Sequence, residues 1–549
     1  MLQITCHGGV GEIGGNKILL EDGGSALMLD FGKRMGAVNS FFDEFLQPRT
    51  NSCLRDLICL GLAPGIPGIY RHDLLNHGGA WEHLAGGAVP DHARMLFSSD
   101  LESYDDYLTR VGRPRIEGIL LSHAHADHAQ DLCFVDRRIP VYCSHVTLAI
   151  LRAAEDIGRG GIESEVCECS TRGVSVLKGG FFPNELKIAG DAANGERDIR
   201  VVNPHERFDI GRFAVEAIPV DHSVPGACAF VVTSPSGKVV FYTGDLRFHG
   251  RLGDLTSGLR ERTRGLRPDV FITEGTRIVD KEGKITAAGD DETDVARKIT
   301  GIVRDCAGLA IVDFGWKDTT RFQTILEVGR ATGRVLAVSP KVAYLWALLN
   351  RIDPAAYPDL PSAGNVRVYL ERSNSMTYSL GDYSKSKHTA GVCTDWEGMK
   401  DAYKNGDEGY LQPRLCHYRD GVRAYEIAAD PSRFILHAGF FDMNELFDIA
   451  PPPGSVYISA VTEPFSHEME IDQDKLKRWL DHFGIDYGGE EIEHHHVSGH
   501  ASGRDLLDFI KSAEPKLVIP VHTERPEAFA RELRTECRPP VMGEPIPVA

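Results

Sequence analysis

The sequence predicts an α/β protein with more than one domain. Three observations lead there. Short apolar runs typical of buried strands recur, and several are followed at once by His, Asp or Glu. From about residue 278 the pattern changes to alternating helix-like and strand-like segments, the rhythm of a parallel α/β unit. At 549 residues the chain exceeds one ordinary domain and suggests roughly two to four.

The elements can be justified in order. Residues 1–35 read as strands joined by tight turns. Asp22-Gly23-Gly24 separates Lys17-Ile18-Leu19-Leu20 from Ala26-Leu27-Met28-Leu29, which predicts a hairpin. Residues 36–110 are punctuated by Gly and Pro without a long periodicity and read as an insertion or cap. Strand signals resume at 116–121, 213–220 and 239–243. Residues 291–306 read as a helix, 310–314 as a strand, 319–332 as a helix and 334–339 as a strand. The stretch 372–430 is polar and turn-rich, and strands return at 434–437, 455–460 and 517–521. No internal repeat is visible.

Composition is that of an ordinary globular protein, 42% hydrophobic and 25% charged. No apolar run approaches the roughly 18 residues that would span a bilayer, so no membrane partner is expected. The segment Met1-Leu2-Gln3-Ile4-Thr5-Cys6 carries neither basic nor apolar leader features and reads as no signal peptide. The twelve cysteines are scattered, as in a cytoplasmic protein with reduced thiols. A net charge of −19 argues against a surface coated in basic residues for nucleic acid, though not against a local channel. Arg247, Arg251, Arg260, Arg262, Arg264 and Arg267 form a basic run. Its ordinary explanation is a solvated surface, and its alternative is the lining of a nucleic-acid path.

Gly9-Val10-Gly11-Glu12-Ile13-Gly14 matches GxGxxG after a strand, with Asp30 at a tempting distance. A dinucleotide site needs a helix opening directly after the glycines. Here a hairpin follows, so the glycines are assigned to a tight turn and close backbone approach.

The chemistry concentrates in Ser122-His123-Ala124-His125-Ala126-Asp127-His128, directly after an apolar run. In an extended segment alternate side chains share a face, so His123 and His125 can converge on one cation. Asp127 and His128 can then turn toward a second. A lone histidine is usually a structural polar group; three with an aspartate in six positions are hard to explain so. His222, Asp245, Glu274, His522 and Asp30 each follow their own apolar run, and imidazole and carboxylate are ligands that zinc accepts. His494-His495-His496 also precedes a strand end, but alternate rings would point to opposite faces, so a structural or surface role is expected.

His-x-His-x-Asp-His, a later His after a strand and a Gly-Asp after a strand resemble the metallo-β-lactamase superfamily signature. Gly8 to Asn16, Asp221-His222-Ser223-Val224-Pro225, Thr273-Glu274-Gly275-Thr276, Val497-Ser498-Gly499-His500-Ala501-Ser502 and Pro520-Val521-His522 resemble, more narrowly, the β-CASP nucleases and the ribonucleases J. The resemblance covers roughly 1–35, 114–345 and 434–525. It implies an α/β fold: a metallo-β-lactamase αβ/βα sandwich with an inserted β-CASP α/β domain. The expected division is 1–277 with an insertion at 36–110, 278–455 for the β-CASP domain, and 456–549 completing the first domain. The resemblance implies two Zn2+ per chain, with Mn2+ able to substitute. One ion would take His123, His125 and His222, the other Asp127, His128 and His522, with Asp245 bridging. Asp30 would orient a ligand histidine. His500 would be the catalytic acid with Glu274 beside it, and Ser498, Gly499, Ala501 and Ser502 would face phosphate.

Physical chemistry supports that reading independently of the name. Two cations roughly 3.5–4 Å apart can stabilise both the attacking and leaving oxygens of an in-line displacement. A histidine titrating near neutrality can protonate a departing 3′ oxygen. The expected function is therefore hydrolysis of RNA phosphodiester bonds, as a 5′–3′ exonuclease, an endonuclease or both, with RNA as partner and a homodimer left open. DNA is the first alternative; by the resemblance, His at position 522 goes with RNA. A small-molecule hydrolase and a non-catalytic scaffold are the others, opposed by the His500 motif and by the complete ligand set. The chain departs from the resemblance in its longer 36–110 segment, in 372–430, and in having 27 residues after His522, fewer than an added C-terminal domain needs.

Overall fold

The computed structural model describes residues 1–43, 45–50, 52–75, 99–158, 161–176, 186–360, 364–372, 421–464 and 467–549. Of the 372–430 stretch, residues 373–420 lie outside the described residues.

Two seven-stranded sheets form the first layer pair. In the first, the order is Pro545–Val548, Leu2–Gly8, Lys17–Asp22, Ser25–Leu29, Ile119–Leu120, Val141–Cys143 and Ile199–Val201. In the second it is Glu536–Cys537, Leu517–Pro520, Val270–Thr273, Val239–Tyr242, Cys228–Thr233, Phe213–Pro219 and Arg207–Ile210. Their inner faces interdigitate. Leu2, Ile4, Leu27 and Leu29 from the first sheet share one buried cluster with Phe213, Phe230, Ile272 and Ile519 from the second. Helices cover the outside. Gly503–Ala513 presents Leu506, Phe509 and Ile510 to Phe241 and Phe271 on the back of the second sheet. The result is an αβ/βα sandwich.

The strand Val270–Thr273 pairs in parallel with Leu517–Pro520, although some 240 residues separate them in sequence. Within that excursion the chain builds a second unit. It is a five-stranded parallel sheet in the order Val366–Val368, Val335–Val338, Phe434–His437, Ala310–Asp313 and Val456–Ser459. Helices Glu292–Asp305 and Thr319–Thr332 are N-capped by Asp291 and Asp318, whose side chains accept from the backbone three residues on. The apolar periodicity expected over 291–306 and 319–332 thus ends in real caps.

The described residues of the 36–110 segment pack into the first sheet's outer core. Short helices Met35–Asn39, Cys53–Cys59, His72–Leu75 and Tyr104–Val111 bury Leu54, Leu57, Leu74 and Tyr104. Residues 76–98 lie outside the described residues. The glycine motif opens a turn, as expected. Gly9, Gly11, Gly14 and Gly15 all have positive φ, and a hairpin strand, Lys17–Asp22, follows. A side chain at Gly14 would meet the Asp127 carboxylate at 2.4 Å, while Gly15 and Asn16 donate their N–H groups to the Asp127 carbonyl. The turn wraps a site residue. No described helix is long and apolar enough to cross a membrane.

Candidate metal centre

The site lies at one edge of the sandwich, where several strands end. The chain leaves Ile119–Leu120 extended, so His123 and His125 fall on one side. The helical turn Ala126–Ala129 then swings Asp127 and His128 around. His222, Asp245, Glu274 and His522 follow Phe213–Pro219, Val239–Tyr242, Val270–Thr273 and Leu517–Pro520.

The convergence is tight. The donor atoms of His123, His125 and His222 lie within 4.8 Å of one another, and so do those of Asp127, His128 and His522. Nε2 of His123 and Nε2 of His222 each stand 3.1 Å from Nδ1 of His125. Asp245 sits between the two trios. Its Oδ2 is 3.2 Å from His128 Nε2, 3.4 Å from His522 Nε2, and 3.8 Å from Nε2 of both His123 and His222. His123, His128, His222, Asp245 and His522 are all at most 2% exposed.

The ring nitrogens turned away from the cluster are occupied. Asp30 faces His128 Nδ1 at 2.7 Å and also accepts from Ser122 N, Ser122 Oγ and Tyr242 Oη at 2.7, 2.8 and 2.5 Å. Ser122 Oγ lies 3.0 Å from His123 Nδ1. His222 Nδ1 donates to the Gly499 carbonyl at 2.5 Å, and His522 Nδ1 faces Thr276 Oγ1 at 2.7 Å. Such partners fix ring orientation and leave the inner nitrogen as a lone-pair donor. Two inner atoms, His128 Nε2 and Asp245 Oδ1, are buried without a hydrogen-bond partner, an expensive state for polar atoms. The donor set and these orphans together fit metal binding.

The electrostatics separate the histidines. Burial pushes His123 and His222 well below the ordinary imidazole range, and neighbouring imidazoles add to it. Burial takes His125 down to about 4. Burial would also lower His128, but Asp245, Asp127 and Asp30 outweigh it and raise the ring. Asp127 is held below the usual carboxylate range: burial acts against this, and His128 and His522 overcome it.

His500 stands apart from both trios. Its Nδ1 is 2.8 Å from Glu274 Oε2, and 3.8 Å from Asp245 Oδ2. Burial would lower it, yet Glu274 and Asp245 prevail and lift it to about 9. Glu274 is itself fixed by the Leu246 N–H at 3.0 Å. With Nδ1 taken by Glu274, the other ring nitrogen of His500 is left for the cleft. That cleft has a volume of about 940 Å³, and Asp127, Asp245, His500 and His522 help to line it.

Some expectations are corrected. Ser502 is fully buried and caps the helix Gly503–Ala513, accepting from Asp505 N and donating to the Asp505 carboxylate. The Ala501 N–H donates to Leu246 O. Neither group is free for phosphate, while Ser498 and Gly499 do line the cleft. The basic run is no open track. Arg247 is buried against Asp221, Arg251 pairs with Glu327, Arg262 with Glu216, Arg264 with Glu261 and Arg267 with Glu514. In the histidine triplet, His494 is held by Ser459 and Gln473, and none of the three joins a metal cluster among the described residues. Ser122, Tyr242 and Thr276 went unread in the sequence, because a hydroxyl at a strand end carries no periodic signature.

Residues 89–301 match the Beta-lactamase superfamily domain, and residues 490–539 match the Zn-dependent metallo-hydrolase RNA specificity domain. The chain is thus similar to the metallo-β-lactamase superfamily over 89–301, and among its relatives are ribonucleases J. It is 25% identical over 416 residues to the ribonuclease J of Sinorhizobium meliloti, covering 75% of this chain and 58% of that protein. It is 20% identical over 545 residues to the ribonuclease J of Pyrococcus abyssi, covering 95% and 90%. The chain thus spans little more than half the length of the first of these relatives. A crystal structure of a protein of unknown function from Enterococcus faecalis shares the fold over 99% of both chains, with a TM-score of 0.64 at 20% identity. The second matched segment contains both His500 and His522.

Proposed function

We propose that this chain is a zinc-dependent ribonuclease that hydrolyses phosphodiester bonds, working as a 5′–3′ exonuclease, an endonuclease or both. The observation that carries the reading is the pair of ligand trios around Asp245, with the His500–Glu274 pair beside them at the cleft. His123, His125 and His222 would hold one ion and Asp127, His128 and His522 the other, with Asp245 shared. The ions would supply Lewis acidity and charge neutralisation at the reacting phosphorus.

The chain's own residues divide the remaining work. Asp30, Ser122, Gly499 and Thr276 hold the ligand rings in register. His500 protonates the departing 3′ oxygen from the ring nitrogen not engaged by Glu274, and Glu274 keeps that ring charged and aimed. Ser498 and Gly499 bound the substrate's path. RNA enters the cleft between the sandwich and the inserted unit, which runs past the expected boundary at 455 because Val456–Ser459 is the edge strand of its sheet, and 1–277 with the C-terminal residues beyond that unit form the catalytic domain around it. The Pyrococcus abyssi relative named ribonuclease J, matched over 95% of this chain and 90% of its own length, supports RNA over DNA. The discriminating experiment supplies end-labelled RNA and DNA of one sequence to metal-loaded protein and to Asp245→Ala. The reading predicts RNA cleavage by the wild type alone; equal cleavage of DNA favours the alternative of a DNA-acting enzyme.

A further inference from the structure

In a chain of net charge −19, most basic side chains near the sandwich are already spent on carboxylates, as the run from Arg247 to Arg267 shows. Arg277 in the cleft lining and Lys317 beside the histidine cluster are not. Lys317 follows the strand Ala310–Asp313 of the five-stranded sheet, at the carboxyl edge where parallel sheets place their sites. Its Nζ reaches across to the carbonyl of Ala124, between His123 and His125, at 3.4 Å. No carboxylate lies within ion-pair distance of it among the described residues. Arg277 is the second. It follows Thr276, the residue that holds His522, and lines the same cleft. Its guanidinium likewise has no ion pair among the described residues, although Glu274 and Glu463 act on it from farther off.

Both cations carry a desolvation cost that nothing in the protein offsets in full. Burial lowers Lys317 to about 8, with Asp127 acting against it, and burial lowers Arg277 too. Lys317 and Arg277 are half-buried, and a partly desolvated charge kept without an ion-pair partner points to a counter-ion that arrives with a ligand. The neighbourhood fits a polar visitor. His249 and His496 line the cleft, and each has a buried Nδ1 without a hydrogen-bond partner. The two cations also stand beside different ligand trios. Lys317 lies against the His123/His125 side, Arg277 against the His522/His500 side.

We infer that Lys317 and Arg277 are phosphate contacts that set substrate register, each taking a backbone phosphate on its own side of the one being cleaved. The inference rests on the ribonuclease reading and deepens it. Guanidinium suits bidentate phosphate contact, and a lysine serves as a point charge on the phosphate. Lys317 comes from the inserted unit and Arg277 from the sandwich, so a strand gripping both would tie the two units together across the metal centre.

The test uses fluorescence anisotropy of metal-stripped full-length protein with a 2′-O-methyl RNA oligonucleotide, which resists cleavage, in 5′-hydroxyl and 5′-phosphate forms. Lys317→Gln and Arg277→Gln are each expected to raise Kd about tenfold at low salt. Each should also reduce the slope of log Kd against log salt by roughly 0.7, the value of one single-strand phosphate contact. Lys317→Arg and Arg277→Lys, which keep the charge and guard against a folding artefact, should stay within about threefold of wild type. Equal losses on both oligonucleotides support internal phosphates. A loss confined to the 5′-phosphorylated one overturns the flanking arrangement and moves that residue to the chain end. Unchanged affinity and slope in both Gln variants overturn the proposal. Cleavage of RNA by the metal-loaded wild type is measured in parallel: its failure overturns the ribonuclease reading itself, whatever the binding data show.

Discussion

Asp30→Asn isolates the carboxylate that holds the candidate metal centre from behind. Asp30 has a φ of 54°, a left-handed conformation that Asn tolerates and β-branched residues do not, so the substitution changes chemistry with little backbone strain. In the wild type, Asp30 Oδ1 accepts from the Ser122 N–H, which Asn can preserve. Oδ2 faces Ser122 Oγ, Tyr242 Oη and His128 Nδ1. An amide nitrogen there would present donors to three donors. Each lost bond to a buried carboxylate is worth about 1.5–3 kcal/mol. Rotation of the Ser122 and Tyr242 hydroxyls toward other acceptors recovers part of this, leaving a loss of about 3–5 kcal/mol in the metal-stripped protein. The His128 ring would also lose the partner that keeps its proton on Nδ1, and metal affinity should fall roughly 10–100-fold, the usual result of removing such a partner. The assays are urea unfolding of the metal-free protein and zinc competition against a chromophoric chelator. Unaltered unfolding together with unaltered zinc affinity would refute the reasoning, because the bonding around Oδ2 leaves no way to lose the acceptor silently.

Further outcomes follow from other parts of the structure. His500→Ala should lower RNA turnover by about 10²–10⁴-fold while elemental analysis finds the wild-type zinc content; a lost zinc ion would make His500 a ligand. Lys17→Met should cost about 3–5 kcal/mol in unfolding experiments, since it strands Asp131, whose carboxylate is 2.9 Å from Lys17 Nζ with both side chains buried; a neutral result would show that the pair is dispensable. Burial lifts the Asp313 carboxyl to about 6, the Tyr457 hydroxyl opposing it. Its folded-state value is raised, so its stabilising effect is complete below about pH 4 and is lost as pH rises through 6. Asp313→Asn should therefore gain stability over wild type progressively between pH 4 and 7, and a constant difference across that window would contradict the assignment.

The candidate ligands were legible because each has the same local grammar, an apolar strand followed at once by His, Asp or Glu. Strand ends gather at a sheet edge, so the list predicted the gathering. The hairpin around Asp22-Gly23-Gly24 was legible for a similar reason, since turn chemistry is local. The Gly9–Gly14 motif was separable from a nucleotide loop by the absence of a helix after it, but its purpose, wrapping Asp127, depends on a contact more than a hundred residues away. Long-range polar pairing was the illegible part. Nothing near Arg247 or Arg262 announces Asp221 or Glu216 as partner, so the sequence alone could not separate a solvated basic run from a nucleic-acid path. Ser502 misled for the opposite reason: it reads equally as a phosphate group and as a helix cap, and the helix Gly503–Ala513 decided it.

The central claim is that Asp245 joins two metal sites into one hydrolytic centre. Its most direct test is a titration of metal-stripped protein with zinc, reading RNA cleavage and bound metal at each step for the wild type and Asp245→Ala. The account predicts that wild-type cleavage climbs to its plateau as the second equivalent binds, and that Asp245→Ala stays folded without reaching appreciable activity. Full cleavage at one equivalent or fewer, or full activity in Asp245→Ala, would contradict it.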